Sequence, residues 1–375
     1  MRIMARTTLI FLAVVVGPLA ARSEEPRRAP KTRNVILVTT DGVRWQEIFR
    51  GADLALFNKR NGGVTDPDSL GRKFGGSTAE DRRKRLMPFL WSVVARNGQL
   101  YGNADRGSPG RVTNGKNFSY PGYNELLTGA PDPRIDSNDK RLNPNVTVLE
   151  WLNRKPAYHG KVAAICCWDV FPFILNRPRS GLFINACWEP FEGSALTEGQ
   201  KEFNRRLREL PRAWSDGRSD ALTNQAAVDY LNRETPRVLY IAFGDTDEYA
   251  HAGRYDRYLE TANQVDGYLR ALWDAIQASP VYRDSTALVI TTDHGRGDPP
   301  RGWRDHGATT SGSDGYWIGL LGPDVPPLGE RTETGLVTQS QVAATVAAML
   351  GEDFTADFPR AARPIGDAIR FADDR

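Results

Sequence analysis

Histidine is scarce in this chain: 375 residues hold four, His159, His251, His294 and His306. Cysteine is scarcer, with Cys166, Cys167 and Cys187, too few for a fold held by disulfides. One of Cys166 and Cys167 could pair with Cys187 in an oxidising compartment, and three small buried residues are the equal alternative. A strong charge of one sign is also missing. The formal charge is +3, and it falls to zero without residues 1–23, which hold Arg2, Arg6 and Arg22 and no acidic residue. That balance points to no nucleic-acid polymer and no membrane-surface partner. Outside the amino terminus no run is long and apolar enough to span a bilayer. There is no internal repeat and no low-complexity tract. With 40% hydrophobic and 25% charged residues, the chain has the means to bury a core without staples.

The amino terminus is organised differently from the rest. A short basic stretch with Arg2 and Arg6 is followed by an apolar segment over 7–20, then by Ala20-Ala21-Arg22-Ser23. This is the layout of a secretory signal peptide over 1–23, with a polar leader over 24–33. The expected location is secreted or periplasmic, with no membrane span once the signal is cleaved; an uncleaved anchor is the lesser reading.

From residue 34 onward, β-branched apolar runs alternate with helix-like stretches. The runs cover 34–40, 161–165, 237–243, 286–292 and 316–321; the helical patterns cover 147–154, 199–210, 219–233, 257–278 and 339–350. Runs without polar alternation suit strands buried on both faces. The expected architecture is α/β, a three-layer α/β/α arrangement around a mostly parallel sheet. It is read as a single domain over 34–375. An insertion at about 51–85, with Asn61-Gly62-Gly63, Asp66-Pro67-Asp68 and the basic Arg82-Arg83-Lys84-Arg85, is expected to be a solvated excursion rather than a lid.

Three of the histidines stand close to aspartates. Asp41 follows the first run, Asp245 and Asp247 follow the run 237–243 with His251 four residues beyond Asp247, and Asp293-His294 follow the run 286–292. His306 lies in Arg304-Asp305-His306-Gly307. In an open α/β sheet ligands bind outside the carboxyl ends of the strands, so the topology itself brings these groups together. Residues four apart on a helix share a face, so Asp247 and His251 can grip one ion. Imidazole with carboxylate suits zinc, or manganese and iron, better than magnesium or calcium. A further candidate is Ser119, ahead of Pro121 at the start of a helical pattern. A plain N-cap serine is the simpler reading; a nucleophile activated by a metal and a helix N-terminus is the functional one. Asp245 is a weaker ligand candidate, and His159 has no motif around it.

These residues, in this order, resemble the alkaline phosphatase superfamily of metal-dependent phosphoesterases: strand-Asp41, Ser119, Asp247…His251, Asp293-His294-Gly295 and a late His306. The resemblance covers residue 34 to about 350. The segments 41–45 and 119–129 look most like the nucleotide pyrophosphatase/phosphodiesterase branch. The resemblance implies an alkaline-phosphatase-like fold and two divalent metal ions, most readily zinc. Asp247, His251 and His306 would hold one metal, Asp41, Asp293 and His294 the other. Ser119 would attack a small-molecule phosphate ester to give a phosphoserine intermediate. Formylglycine sulfatases of the superfamily use a Cys/Ser-x-Pro-x-Arg motif; here Tyr123 stands where the Arg belongs, which argues against that subclass. The serine nucleophile favours a phosphomonoesterase, with a phosphodiesterase as the alternative; a sulfatase-like hydrolase and a non-catalytic metal-binding protein stand behind these. A monoesterase needs positive charge for the dianionic phosphate. Lys116, Arg134, Lys140 and Arg141 are near Ser119 in sequence, and Asn117 and Asn138 offer neutral donors. Trp45, Trp168 and Trp303 could stack on a leaving group, with packing the simpler role. Oligomeric state is not legible.

Overall fold

The computed structural model describes residues 29–371, so the expected signal peptide and the first half of the polar leader, 24–28, lie outside the described residues. Among the described residues there are ten strands: β1 Asn34–Thr40, β2 Gln99–Tyr101, β3 Gly110–Arg111, β4 Val162–Cys166, β5 Phe183–Ala186, β6 Val238–Phe243, β7 Thr286–Thr291, β8 Ile318–Leu321, β9 Gly329–Glu330 and β10 Val337–Thr338. Eight form one sheet in the order β5-β4-β6-β1-β7-β8-β2-β9, and β10 pairs with β3 beside it. The pairs β5–β4, β4–β6, β6–β1 and β1–β7 are all parallel; β8 runs antiparallel to both β7 and β2. The expected runs are thus strands, within a residue or two of their ends.

Every residue of β1, β6 and β7 is buried. Side chains alternate across a sheet, and the core divides accordingly. Val35 and Leu37 of β1 pack in one hydrophobic cluster, Ile36 and Val38 in the other. The first face is covered by helices Ser119–Thr128, Val148–Arg154 and Val342–Met349, through residues such as Tyr123, Leu149 and Val346. Helices Asp220–Glu234 and Tyr255–Ala278 cover the second, through Leu222, Ala226, Leu259 and Leu269. Sheet and two helical layers make the three-layer α/β/α architecture.

Two sequence expectations are corrected here. The segment 51–85 is not a solvated excursion. It folds into helices Lys59–Gly62, Pro67–Phe74 and Ala79–Leu86, and Leu56, Val64, Leu70, Phe74 and Leu86 join the second core cluster. Its apolar residues are spaced for short helices, a pattern hidden by the density of Gly, Asp and Arg. The three cysteines are free and buried, so the disulfide alternative falls away.

Candidate metal centre

The three central strands, β6, β1 and β7, are neighbours and parallel, and each hands its chain to the site at its carboxyl end. Asp41 follows β1 directly, and its amide donates to the Phe243 carbonyl at the end of β6 (3.0 Å). After β6 the chain turns at Gly244 into helix Asp245–His251, whose Thr246 hydroxyl ties back to the Asp41 carbonyl (2.6 Å). After β7 come Asp293 and His294, both fully buried.

Close approach of these segments depends on two glycines. Gly42 has φ +63°, and its N–H donates to Asp293 Oδ1 (3.1 Å); a Cβ there would lie 2.8 Å from Arg296 Nε. Gly122 lets helix Ser119–Thr128 lie against the Asp293 backbone, where a Cβ would sit 2.4 Å from the carbonyl oxygen. Ser119 is the first residue of that helix and is buried, with Oγ 3.5 Å from His294 Nε2. The helix N-terminus favours an anion beside it.

The Asp and His groups form two overlapping sets. In the first, His294 Nε2 lies 3.3 Å from Asp41 Oδ1 and 3.4 Å from Asp293 Oδ2. In the second, His306 Nε2 lies 3.6 Å from Asp247 Oδ1 and 3.0 Å from His251 Nε2, which is 3.3 Å from Asp247 Oδ2. One ligand atom from each of Asp41, Asp293 and His294 falls within 4.8 Å of the others, and the same holds for Asp247, His294 and His306. His294 thus faces both sets, and His251, more exposed, lies against Asp247 and His306 of the second. Asp41 Oδ1 and Asp293 Oδ2 are buried with no hydrogen-bond donor, an arrangement that costs free energy unless a cation answers it. The imidazoles are oriented for ligation. His294 Nδ1 lies 2.9 Å from the Gly295 carbonyl and His306 Nδ1 lies 3.2 Å from the Asn117 carbonyl. A carbonyl only accepts, so Nδ1 carries the proton and Nε2 of the neutral ring keeps its lone pair. These residues fit a pair of divalent metals.

The electrostatics of the bare site reflect crowding of like charge. Burial, followed by the Asp41 charge, pushes the Asp293 carboxyl well above its ordinary value. Burial opposes the charged form of His294, but Asp293 and Asp41 outweigh it and lift the ring to about 9. Burial, followed by His294, Arg296 and His251, holds His306 far below the ordinary imidazole value. Burial also lowers Arg296 to about 9; this guanidinium pairs with the Asp247 carboxylate and donates to the carbonyls of Gly42, Asp247 and Arg304.

The remaining sequence candidates separate cleanly. Both Asp245 oxygens are taken within the protein, Oδ1 by Trp214 Nε1 (3.2 Å) and Oδ2 by the Asp220 amide (3.0 Å), so it is not free to ligate. His159 bonds the Asn153 carbonyl, away from the site. Asn138 accepts from the Tyr120 amide (3.0 Å), supporting the N-terminus that carries Ser119. Asn117 holds His306 through its carbonyl and has φ +55°. Lys116 is half-buried and, with Asn117, hangs its backbone N–H on Asn114 Oδ1. Arg134, Lys140 and Arg141 are paired with Asp132, Asp169 and Asp139. Trp303 is a core residue, packed against Tyr255.

A cavity of about 310 Å³ opens beside the site, and Asp41, Ser119, Asp247, His251 and His306 are part of its wall. Asn138, Trp168, Trp214, Asp216, Asp245 and Glu248 complete much of the rest. Burial, followed by Asp216 and Asp41, raises Glu248 to about 7. Trp214, Asp216, Glu248 and Arg296 carry no motif and escaped the sequence reading, and so did the hydrogen bond from the Tyr123 hydroxyl to Asp41 Oδ2 (2.9 Å).

The family model described as "Metalloenzyme superfamily" matches residues 215–307, the span that carries Asp247, His251, Asp293, His294 and His306. A 2,3-bisphosphoglycerate-independent phosphoglycerate mutase of Gracilaria tenuistipitata var. liui is 27% identical over 74 residues, 20% of this chain and 14% of that protein's length. Among solved structures, a mutant of the alkaline phosphatase PafA aligns over 92% of this chain and 100% of its own, at 11% identity and a TM-score of 0.57. The phosphonate monoester hydrolase SpPMH from Silicibacter pomeroyi aligns over 92% and 78%, at 15% identity and 0.53. A 2-O GAG sulfatase aligns over 92% and 74%, at 14% identity and 0.51. The chain has the alkaline-phosphatase-superfamily fold, and the resemblance read from its motifs is matched by its architecture.

Proposed function

We propose that the protein is a two-metal hydrolase of phosphate esters in which Ser119 is the nucleophile. The observation that carries this reading is the meeting of two Asp/His sets at His294, with the Ser119 hydroxyl 3.5 Å from the same ring nitrogen. Asp41, Asp293 and His294 would hold one metal; Asp247 and His306, flanked by His251, would hold the other. Zinc suits this donor set, and manganese or iron also fit. When bound, the pair supplies Lewis-acid charge for the phosphoryl oxygens and lowers the pKa of hydroxyl groups at the site.

The chain's own residues do the rest. The helix N-terminus, steadied by Asn138 on the Tyr120 amide, sets Ser119 beside the anion. Ser119 Oγ forms the new P–O bond, the ester bond opposite it breaks, and the alcohol leaves with a proton. Water then breaks the Ser119–phosphorus bond and returns the serine hydroxyl. Tyr123 and the Gly42 amide hold Asp41 and Asp293 in place.

The cavity wall favours diesters over monoesters, reversing the preference drawn from the serine alone. A dianionic monoester calls for an unpaired guanidinium or ammonium. Among the described residues of the wall the one cation is Arg218, buried and bonded to Thr223, Asn185 and the Cys166 carbonyl. In keeping with the signal-like amino terminus, the enzyme would act after export.

The test is hydrolysis of p-nitrophenyl phosphate and bis-p-nitrophenyl phosphate, with and without added zinc or manganese. Metal-dependent turnover with the diester ahead is expected. Faster monoester turnover would overturn the diester preference, and no metal-dependent turnover of either would overturn the hydrolase reading.

A further inference from the structure

The cavity beside Ser119 has a wall chemistry that the hydrolase reading does not use. Two indoles stand in it, and each is pinned through its N–H to a carboxylate of the same wall: Trp168 to Asp216 (3.1 Å) and Trp214 to Asp245 (3.2 Å). Glu248, one residue beyond Asp247, also lines the cavity and is half-buried, and among the described residues its carboxylate has no hydrogen-bond or ion-pair partner. Three carboxylates therefore remain after Asp41 and Asp247 are assigned to metals, and the charge of Arg218 is spent behind the wall on its own partners.

This combination discriminates between substituents. A second phosphate, as in a nucleotide polyphosphate, would meet like charge at each of these carboxylates. A neutral aryl or alkyl group would pack on the indoles but leave Glu248 desolvated and unanswered. A cationic group satisfies both features, since indole faces attract cations and carboxylates neutralise them. We propose that this cavity is a substituent subsite for an alcohol carrying an ammonium group, so that the substrates are phosphate esters of cationic alcohols. The proposal rests on the hydrolase reading above.

The experiment compares p-nitrophenyl phosphocholine with p-nitrophenyl 3,3-dimethylbutyl phosphate, its uncharged isostere, on the metal-loaded protein. Cleavage is followed by phosphorus NMR, which sees either ester bond break. Bis-p-nitrophenyl phosphate serves as the uncommitted substrate. The expected result is a kcat/KM for the choline ester about tenfold or more above that of the isostere, the scale of a cation held by an aromatic face and a carboxylate. Glu248→Gln should shrink that ratio severalfold. Equal rates for the two esters, or a ratio untouched by Glu248→Gln, would overturn the subsite while leaving the hydrolase reading intact. Turnover of bis-p-nitrophenyl phosphate with neither ester cleaved would do the same. No turnover of any of the three would remove the hydrolase reading and the subsite with it.

Discussion

Replacing Gly122 by alanine tests how tightly the nucleophile helix is seated. In an isolated helix the change is favourable by about 1 kcal/mol. Here the added Cβ would lie 2.4 Å from the Asp293 carbonyl oxygen and 3.1 Å from its carbon, whereas ordinary contact begins at 3.4 Å. The two backbones must separate by roughly 1 Å. Neither side yields easily: all ten residues from Ser119 to Thr128 are buried, and Asp293 is held by the Gly42 amide while Gln339 donates to its carbonyl. Overpacking of this kind costs about 1–3 kcal/mol, enough to cancel the helical gain. The catalytic consequence is larger, because the displaced helix carries Ser119 away from His294. A shift of ~1 Å at a reacting group is worth about a hundredfold in rate. The assay is kcat/KM on bis-p-nitrophenyl phosphate, with thermal unfolding and metal content measured on the same preparation. The expected variant binds metal, unfolds at or slightly below the wild-type temperature and loses about two orders of magnitude in turnover. Activity within twofold of wild type, with stability raised, would refute the reasoning: the helix would then not be pressed against Asp293.

Ser119→Ala should lower kcat on the order of a thousandfold or more with metal content unchanged; near-wild-type turnover would remove Ser119 as the nucleophile. His294 lies in both Asp/His sets, so His294→Ala should cut metal stoichiometry, measured by elemental analysis, more than His251→Ala does; an undiminished content would sink the assignment of His294. Burial raises Asp266 from its ordinary 3.8 to about 6, although it accepts the Phe89 and Leu90 amides. Between those pH values the native state keeps a proton that the unfolded chain has lost, so wild-type stability is greatest below pH ~4 on this account and falls as pH rises towards ~6, by up to about 3 kcal/mol, then levels off. Denaturant unfolding of wild type and Asp266→Asn across pH 4–7 should therefore give converging or crossing curves; parallel curves would rule the account out.

The strands were legible because a sheet covered on both faces demands unbroken apolar runs, and β1, β4, β6, β7 and β8 provide them. Those that escaped are short or mixed in character. Gln99–Tyr101 is three residues long, and Phe183–Ala186 includes Asn185, whose side chain accepts from the buried Arg218. The segment 51–85 was misjudged for a related reason: its helices are of four to eight residues, so each buries at most two apolar side chains, too few for a period to emerge.

The metal centre was legible for a topological reason and the cavity was not, and the difference is physical. Asp41, Asp247 and Asp293 lie just past the ends of three strands, and parallel pairing of β6, β1 and β7 leaves those ends side by side whatever the intervening chain does. Position along the chain therefore predicts position in space. The cavity wall follows no such rule. Trp214 and Asp216 sit in the loop between helices Glu198–Glu209 and Asp220–Glu234, and Trp168 lies just beyond β4. They meet because the loop pairs back on the chain after β4, through the bridge between Trp168 and Gly217 and the bond from the Asp169 amide to the Asp216 carbonyl (3.0 Å). Loop geometry of that kind has no period and no spacing to read. The part of the site expected to hold metal is thus written in the strand order, while the part that would choose the substrate is written in a loop, where it can change without disturbing the sheet.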